Sequence, residues 1–224
     1  MASPPPLTLI SATPSPFARM NRIVLKLKNI PFTLQNEIPW EKTTATPLYN
    51  PLEKLPILLF PDDRAPVYDS AHINEYLVAK YADWGPKLLT GDTDLDLRIR
   101  QIVVLSEGCL DAIVIANFEC ARAEGMQSGL WLERQNRKID GAMRAFSDMV
   151  TKRRGEGKAF LVGEALSLAD IAVVCCLGIL EFAGVRVGWR EKYGVLGEWW
   201  AGLEDLDVFR ETRPVAFALR EQVV

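Results

Sequence analysis

Histidine is almost absent from this chain, which has one histidine and four cysteines among 224 residues. The cysteines, at positions 109, 120, 175 and 176, form no C-x-x-C pair, so neither a zinc site nor a dithiol redox motif is predicted. Adjacent Cys175 and Cys176 lie in an apolar run, which is typical of buried thiols in a reducing compartment. We therefore expect no metal and a cytoplasmic location.

The sequence also lacks a surplus of positive charge and a long uninterrupted apolar segment. The formal net charge is -3, which disfavours a nucleic-acid-binding surface. The longest apolar stretch, residues 171–185, is interrupted by Glu181 and is too short to span a bilayer. The proline-rich start has no basic segment followed by an apolar one, so no signal peptide is predicted.

The hydrophobic pattern predicts an α/β half followed by an all-helical half. In the first half the spacing predicts the order βαβ and then ββα, which favours a parallel first pair of strands. The predicted elements are strands at 7–12, 32–38, 57–60 and 65–68, and helices at 17–28 and 70–81. In the second half only helices are predicted, at 95–124, 130–153, 168–183, 195–206 and 208–219.

A change in composition separates the two halves. Residues 84–94 are rich in Gly, Pro, Thr and Asp, which is typical of an interdomain linker. The predicted organisation is a disordered start at 1–6, an α/β domain at 7–83, the linker at 84–94 and a helical domain at 95–224.

Ser15-Pro16-Phe17 opens the first predicted helix. Serine is a favoured N-cap and proline a favoured first helical residue, so capping alone explains the pair. The same hydroxyl also stands where a helix dipole stabilises an anion and lowers the pKa of a thiol. Arg19, one turn later, would add positive potential if it points toward that sulfur. Thr13 is a rival hydroxyl, but its position relative to Pro16-Phe17 favours Ser15.

Two further motifs follow in order. Leu55-Pro56 precedes a strand, where a proline that donates no ladder hydrogen bond belongs; a cis bond there would let Leu55 pair with an extended peptide. Asp69-Ser70 opens a helix and is explained by capping, or else Ser70 binds a carboxylate and Asp69 an ammonium group. A γ-glutamyl group carries both charges, and the three motifs together indicate glutathione.

A fourth motif, Ser167-Leu168-Ala169-Asp170, is a capping box before a nearly all-apolar helix. We interpret it as structural, because that helix is predicted at the centre of a bundle.

These motifs resemble those of the soluble glutathione transferase superfamily. Residues 50–58, NPLEKLPIL, resemble the family segment N-P-x-x-x-V-P-x-L, and residues 69–73, DSAHI, resemble [ED]-S-x-x-I. The capping box at 167–170 resembles the folding-related cap of the family's C-terminal domain. The resemblance implies a thioredoxin-like α/β N-terminal domain and an all-α helical-bundle C-terminal domain.

The resemblance also implies roles by position. Ser15 stands where relatives carry a catalytic Cys, Ser or Tyr, so this chain is similar to serine-type members. Ser15 would hydrogen-bond the glutathione sulfur. The implied glutathione-binding residues are Lys42, Lys54, Leu55, Pro56 (the family's cis-proline), Asp69 and Ser70. Glu53 departs from the family's usual Gly and places the shape of the preceding loop in question.

The activity implied is conjugation or transfer of glutathione, the co-substrate, to a small hydrophobic electrophile bound between the domains, by a homodimer. An alternative is a hydrophobic-ligand carrier or interaction module on the same fold. Glutathione-dependent disulfide exchange is a third, but it needs a cysteine that forms a mixed disulfide, and Ser15 stands in that place. The sequence leaves the electrophile and the residues that line its site open.

Overall fold

The computed structural model describes residues 5–217, which divide into two compact units. The first contains the described residues up to Leu88 together with those from Asp207 onward, and the second is Leu89–Leu206. The predicted division at 84–94 is close to the first boundary. The predicted helical domain at 95–224 extends further than the second unit, because residues 207–217 belong to the first unit. Of the start predicted to be disordered, residues 1–4 lie outside the described part.

The first unit is built on a four-stranded mixed sheet with the strand order β2-β1-β3-β4. The strands are β1 (Leu7–Ser11), β2 (Phe32–Asn36), β3 (Ile57–Leu59) and β4 (Val67–Tyr68). β1 pairs with β2 in parallel, as the βαβ order predicts, and with β3 antiparallel; β3 and β4 are also antiparallel. The thioredoxin-like α/β prediction is confirmed.

The helices of this unit are α1 (Pro16–Leu27), α2 (Thr46–Tyr49), α3 (Ser70–Lys80) and the short α9 (Asp207–Arg210). α1 begins at its Ser15 N-cap and packs its apolar positions Ile23 and Val24 into the core. α3 buries Ile73 and Leu77 against α1. The two helices that carry the first and third motifs are therefore neighbours on one face of the sheet.

The second unit is all-helical, as predicted. Its helices are α4 (Thr93–Ala121), α5 (Gly129–Gly155), α6 (Leu168–Phe182), α7 (Trp189–Lys192) and α8 (Gly194–Glu204). Every residue of α6 from Leu168 to Leu180 is buried, so this helix is the core of the unit. α4 continues through Gly108 without interruption. No helix in residues 5–217 is both long enough and apolar enough to cross a membrane.

The capping box of α6 forms as predicted. The Asp170 carboxylate accepts hydrogen bonds from the Ser167 backbone N–H at 2.9 Å and hydroxyl at 2.8 Å. It also accepts one from the Leu161 N–H at 2.9 Å, and Asp170 is fully buried. Cys109, Cys175 and Cys176 are buried in this unit, and all four cysteines are free thiols.

The predicted helix at 208–219 is wrong for most of its described part. The chain is helical only in α9, and residues 213–217 have no regular secondary structure. Thr212 bonds back to the Val208 carbonyl at 2.9 Å through its hydroxyl, and Pro214 follows, whose missing N–H and ring disfavour continuation of the helix. Residues 218–219 of this prediction lie outside the described residues.

Candidate functional site

The strand register brings the predicted motifs to one edge of the sheet. Ile10, near the end of β1, is paired with Ile57 at the start of β3, and Ile57 is paired with Tyr68 at the end of β4. The segments that follow β1, precede β3 and follow β4 therefore leave the sheet at the same edge. These segments carry Ser15, Leu55-Pro56 and Asp69-Ser70.

Ser15 occupies the N-cap of α1 in an extended conformation. Its hydroxyl oxygen accepts a hydrogen bond from the Ala18 N–H at 3.2 Å, and its own N–H donates to the Ala12 carbonyl at 3.0 Å. The serine is half-buried, and its O–H can donate a hydrogen bond to an acceptor at the helix N-terminus. The helix dipole favours negative charge at that position. The capping explanation and the functional hypothesis thus use the same geometry.

The Leu55–Pro56 peptide bond is cis, and the loop before it is held by the buried Asn50. The Asn50 amide donates to the Lys54 carbonyl at 2.8 Å and its side-chain oxygen accepts from the Leu52 N–H at 2.9 Å. Glu53 has φ 52°, a left-handed conformation that glycine adopts without steric cost. This conformation accounts for the family's usual glycine, and the loop forms with glutamate in its place.

Asp69 precedes α3 in an uncommon conformation, with φ 78° and ψ 130°. One oxygen of its carboxylate, Oδ1, accepts from the N–H groups of Ala71 at 3.0 Å and His72 at 3.2 Å. Asp69 is exposed, whereas Ser70 beside it is buried. Asp69 therefore caps the helix with one oxygen and presents a charged group to solvent at the sheet edge.

Two lysines lie in the loops at this edge. Lys42 is in the segment between β2 and α2, and Lys54 is in the loop before Leu55; both are exposed. The β2–α2 segment is tied by Glu37, whose carboxylate accepts from the Thr44 hydroxyl at 3.0 Å. The Glu37 N–H in turn donates to the Ser11 carbonyl at 2.8 Å, so this segment also starts at the sheet edge.

Arg19 has a different environment from the one its position suggested. The side chain is 1% exposed, and its guanidinium donates to the Phe209 carbonyl at 2.9 Å and to the Thr212 hydroxyl at 3.4 Å. These bonds attach α1 to the C-terminal segment. An electrostatic effect of Arg19 on a sulfur at Ser15 stays a prediction.

Asn21 is a residue that the sequence analysis missed. It is fully buried, and its amide nitrogen donates to the Ser70 carbonyl at 2.9 Å and to the Asn74 side-chain oxygen at 2.6 Å. Asn21 therefore fixes the start of α3 against α1, and with it the position of Asp69-Ser70 relative to Ser15. Its signal was a polar residue three positions before Val24, on the buried face of α1.

The arrangement suits an extended ligand with an anionic sulfur at one end and an amino acid group at the other. A hydroxyl and a helix N-terminus lie at Ser15, and a carboxylate with a helix N-terminus lies at Asp69. The backbone of Leu55 enters β3 through the cis bond. Within residues 5–217 no cluster of three or more His, Cys, Asp or Glu residues is placed to hold a metal ion.

Comparisons with known proteins point to one family. The family model for the glutathione S-transferase N-terminal domain matches residues 14–80, and that for the C-terminal domain matches residues 130–201. An uncharacterised glutathione S-transferase-like protein of Escherichia coli K12, YibF, is 32% identical over 183 residues, which are 82% of this chain and 86% of that protein. Glutathione S-transferase U11 of Arabidopsis thaliana is 27% identical over 201 residues, 85% of this chain and 80% of that protein.

Solved structures resemble the whole chain. A glutathione S-transferase from Methylobacterium radiotolerans, in complex with glutathione sulfonate, has a TM-score of 0.89 and 38% identity and covers 98% of this chain and 100% of its own. A glutathione S-transferase from Methylobacillus flagellatus with glutathione bound has a TM-score of 0.85 and 32% identity. It covers 93% of this chain and 100% of its own. The family models, the sequence relatives and the fold lead to one conclusion: this chain belongs to the glutathione S-transferase family.

Proposed function

We propose that this protein is a serine-type glutathione transferase, which ionises glutathione at Ser15 and transfers it to a small hydrophobic electrophile. The observation that carries the proposal is the common sheet edge reached by Ser15, Leu55-Pro56 and Asp69-Ser70. Glutathione or glutathione sulfonate is bound in the two similar bacterial transferases, which supports the same ligand here.

In the proposed complex each part of the tripeptide has its own partner. The Leu55 backbone pairs with the cysteinyl residue as an added strand would. Asp69 holds the γ-glutamyl ammonium, and the Ser70 end of α3 holds its carboxylate. Lys42 and Lys54 provide positive charge for the glycyl carboxylate. These contacts place the sulfur at Ser15.

At Ser15 the hydroxyl donates a hydrogen bond to the sulfur and the helix dipole favours the anion, so the thiol ionises at a lower pH. The thiol proton passes to solvent, and a sulfur lone pair forms a bond to the electrophilic carbon. In a substitution the leaving group departs with its bonding pair. Ser15 keeps its proton throughout, because it acts as a hydrogen-bond donor and not as a nucleophile.

The proposal extends to the state of the protein in the cell. We expect a homodimer, as the family resemblance implies, and light scattering at micromolar concentration should give twice the mass of the 25.1 kDa chain. A monomer mass would contradict this part alone. The free thiols of all four cysteines support a reducing, cytoplasmic location.

The test is calorimetric titration of reduced glutathione into the wild-type protein and into Asp69→Asn, followed by activity assays with several electrophiles. Asp69→Asn keeps the side-chain oxygen that caps α3 but removes the charge, so we expect weaker glutathione binding in a protein of nearly unchanged stability. Wild-type protein that binds no glutathione at millimolar concentration would refute the proposal. Binding without conjugation of any electrophile would favour a ligand carrier.

A further inference from the structure

The last described part of the chain lies against the Ser15 end of the first unit. We name residues 209–217 the C-terminal brace. Its first half is fixed to α1 by Arg19, whose guanidinium reaches both the Phe209 carbonyl and the Thr212 hydroxyl. All three residues are buried, with exposures of 1% for Arg19, 0% for Phe209 and 2% for Thr212. This anchor is one helical turn from Ser15.

The second half of the brace reaches the two loops of the candidate site. The Val215 N–H donates to the carbonyl of Thr13 at 3.3 Å, in the loop that ends at Ser15. The Phe217 ring meets Trp40 edge-on, with ring centroids 5.4 Å apart, in the segment between β2 and α2 that also carries Lys42. One short segment therefore contacts both loops.

We propose that the C-terminal brace positions the Ser15 hydroxyl for the glutathione sulfur, with Arg19 and Val215 as positioning residues; this inference rests on the proposed function. The loop at 12–15 is a tight turn, closed by the Ser15 N–H on the Ala12 carbonyl. A turn of this kind at an element end opens readily unless its backbone has tertiary hydrogen bonds. The Val215 N–H supplies such a bond to the middle of the turn.

In this proposal Arg19 anchors the C-terminal brace and does not act on the sulfur through its charge. The exposed Lys26–Glu211 ion pair, at 2.8 Å, is the kind of surface pair that adds little. The buried guanidinium instead makes bonds to two points of the brace, a geometry that a lysine ammonium cannot reproduce from one nitrogen. Its positive charge is secondary to this geometry.

Val215→Pro tests the bond to the Ser15 loop directly. Proline removes the N–H that donates to the Thr13 carbonyl. Val215→Ala is the matched control, because it keeps this N–H and removes only an exposed side chain. A misplaced reacting group costs rate more than affinity, so we expect kcat to fall about tenfold in Val215→Pro. Glutathione affinity should be nearly unchanged, and the pKa of the bound thiol should rise. Val215→Ala should match the wild type.

Arg19→Lys separates positioning from electrostatics. If the brace acts as proposed, Arg19→Lys loses activity as Val215→Pro does, and the double variant is little worse than either single one, because both changes release the same segment. Wild-type activity and thiol pKa in Arg19→Lys, which keeps the positive charge, would overturn the anchor role.

Hydrogen exchange in the absence of glutathione tests the brace independently of the proposed function. We expect the backbone amides of residues 12–18, except the prolines at 14 and 16, which have no N–H, to exchange faster in Val215→Pro than in Val215→Ala. Equal exchange in the two variants would overturn the brace, even if the wild type conjugates glutathione. Faster exchange in a protein that binds no glutathione would support the brace as a contact and refute its catalytic purpose.

Discussion

Replacing Ser15 by alanine is the most direct test of the thiolate mechanism. The substitution removes the hydroxyl that would donate to the sulfur, and hydrogen bonds to charged groups are worth about 1.5–3 kcal/mol. Since one pKa unit corresponds to about 1.4 kcal/mol, the pKa of the bound thiol should rise by roughly one to two units. At a pH below the pKa of the thiol bound to the wild type, the thiolate fraction, and with it kcat, should fall at least about tenfold.

The same substitution also removes a helix cap, and the two effects have to be separated. The Ser15 hydroxyl accepts from the Ala18 N–H, and loss of such a cap costs about 1 kcal/mol of unfolding free energy. Ser15→Gly restores most of the capping energy but not the hydroxyl. Both variants should therefore lose the same activity, whereas only Ser15→Ala should be clearly less stable.

The assay is the pH dependence of kcat with a chromogenic electrophile, together with the ultraviolet absorbance of the bound thiolate. Because the lost hydrogen bond acts on the thiol pKa, the deficit of Ser15→Ala should shrink as the pH rises above that pKa. Thr13→Ala, which removes the rival hydroxyl, should match the wild type. Unchanged turnover in Ser15→Ala, or a deficit carried by Thr13→Ala instead, would refute the assignment.

Three further predictions concern the supports of the site and fold. Asn21→Leu should lower the free energy of unfolding by about 1–3 kcal/mol, because the buried Asn74 side-chain oxygen and the Ser70 carbonyl lose their donor. It should also weaken glutathione binding in calorimetry, and unchanged binding would contradict the role of Asn21. Asp170→Ala should cost about 3 kcal/mol or more in denaturant unfolding, since it leaves buried donors unpaired, whereas Ser167→Ala should cost only about 1 kcal/mol. Burial raises the pKa of Asp96, but hydrogen bonds from Thr90 and Gly91 outweigh it and hold that pKa below its usual value. The stability difference between wild type and Asp96→Asn should therefore be largest at neutral pH and shrink as the pH falls below about 4, and a difference that grows in acid would contradict this assignment.

The helices and strands of the first unit were predictable because residues next to each boundary carry the start and stop signals. The predicted helix at 17–28 became Pro16–Leu27, since Ser15-Pro16 is a strong start signal and Pro31 a strong stop. The capping box at Ser167 was equally local and formed as expected. The family motifs placed the site segments, and strand pairing then brought those segments to one edge.

The predictions that failed concern segments whose structure depends on tertiary contacts between residues far apart in the sequence. The periodicity of residues 208–219 predicted a helix, but the described chain leaves the helix after Arg210. Arg19, some 190 positions earlier in the chain, binds Phe209 and Thr212, and Thr13 binds Val215. Asn21 was missed for the same reason, because its partners Ser70 and Asn74 lie on another helix. Tertiary hydrogen bonds of this kind override local propensity.

The backbone conformations at the sheet edge give a physical argument for function beyond resemblance. Asp69 and Glu53 both have positive φ, at 78° and 52°, which costs a non-glycine residue about 1–3 kcal/mol. Glycine would relieve this strain at either position. At Asp69 the side chain offsets the cost in part, because it caps two N–H groups of α3. Serine, asparagine or aspartate would supply that cap equally well, and the helix dipole adds only about 0.3–1 kcal/mol in favour of a negative charge at such an exposed position. The proposed function gives that charge a further reason: it would bind the ammonium group of the ligand at the same helix start that receives the ligand's carboxylate.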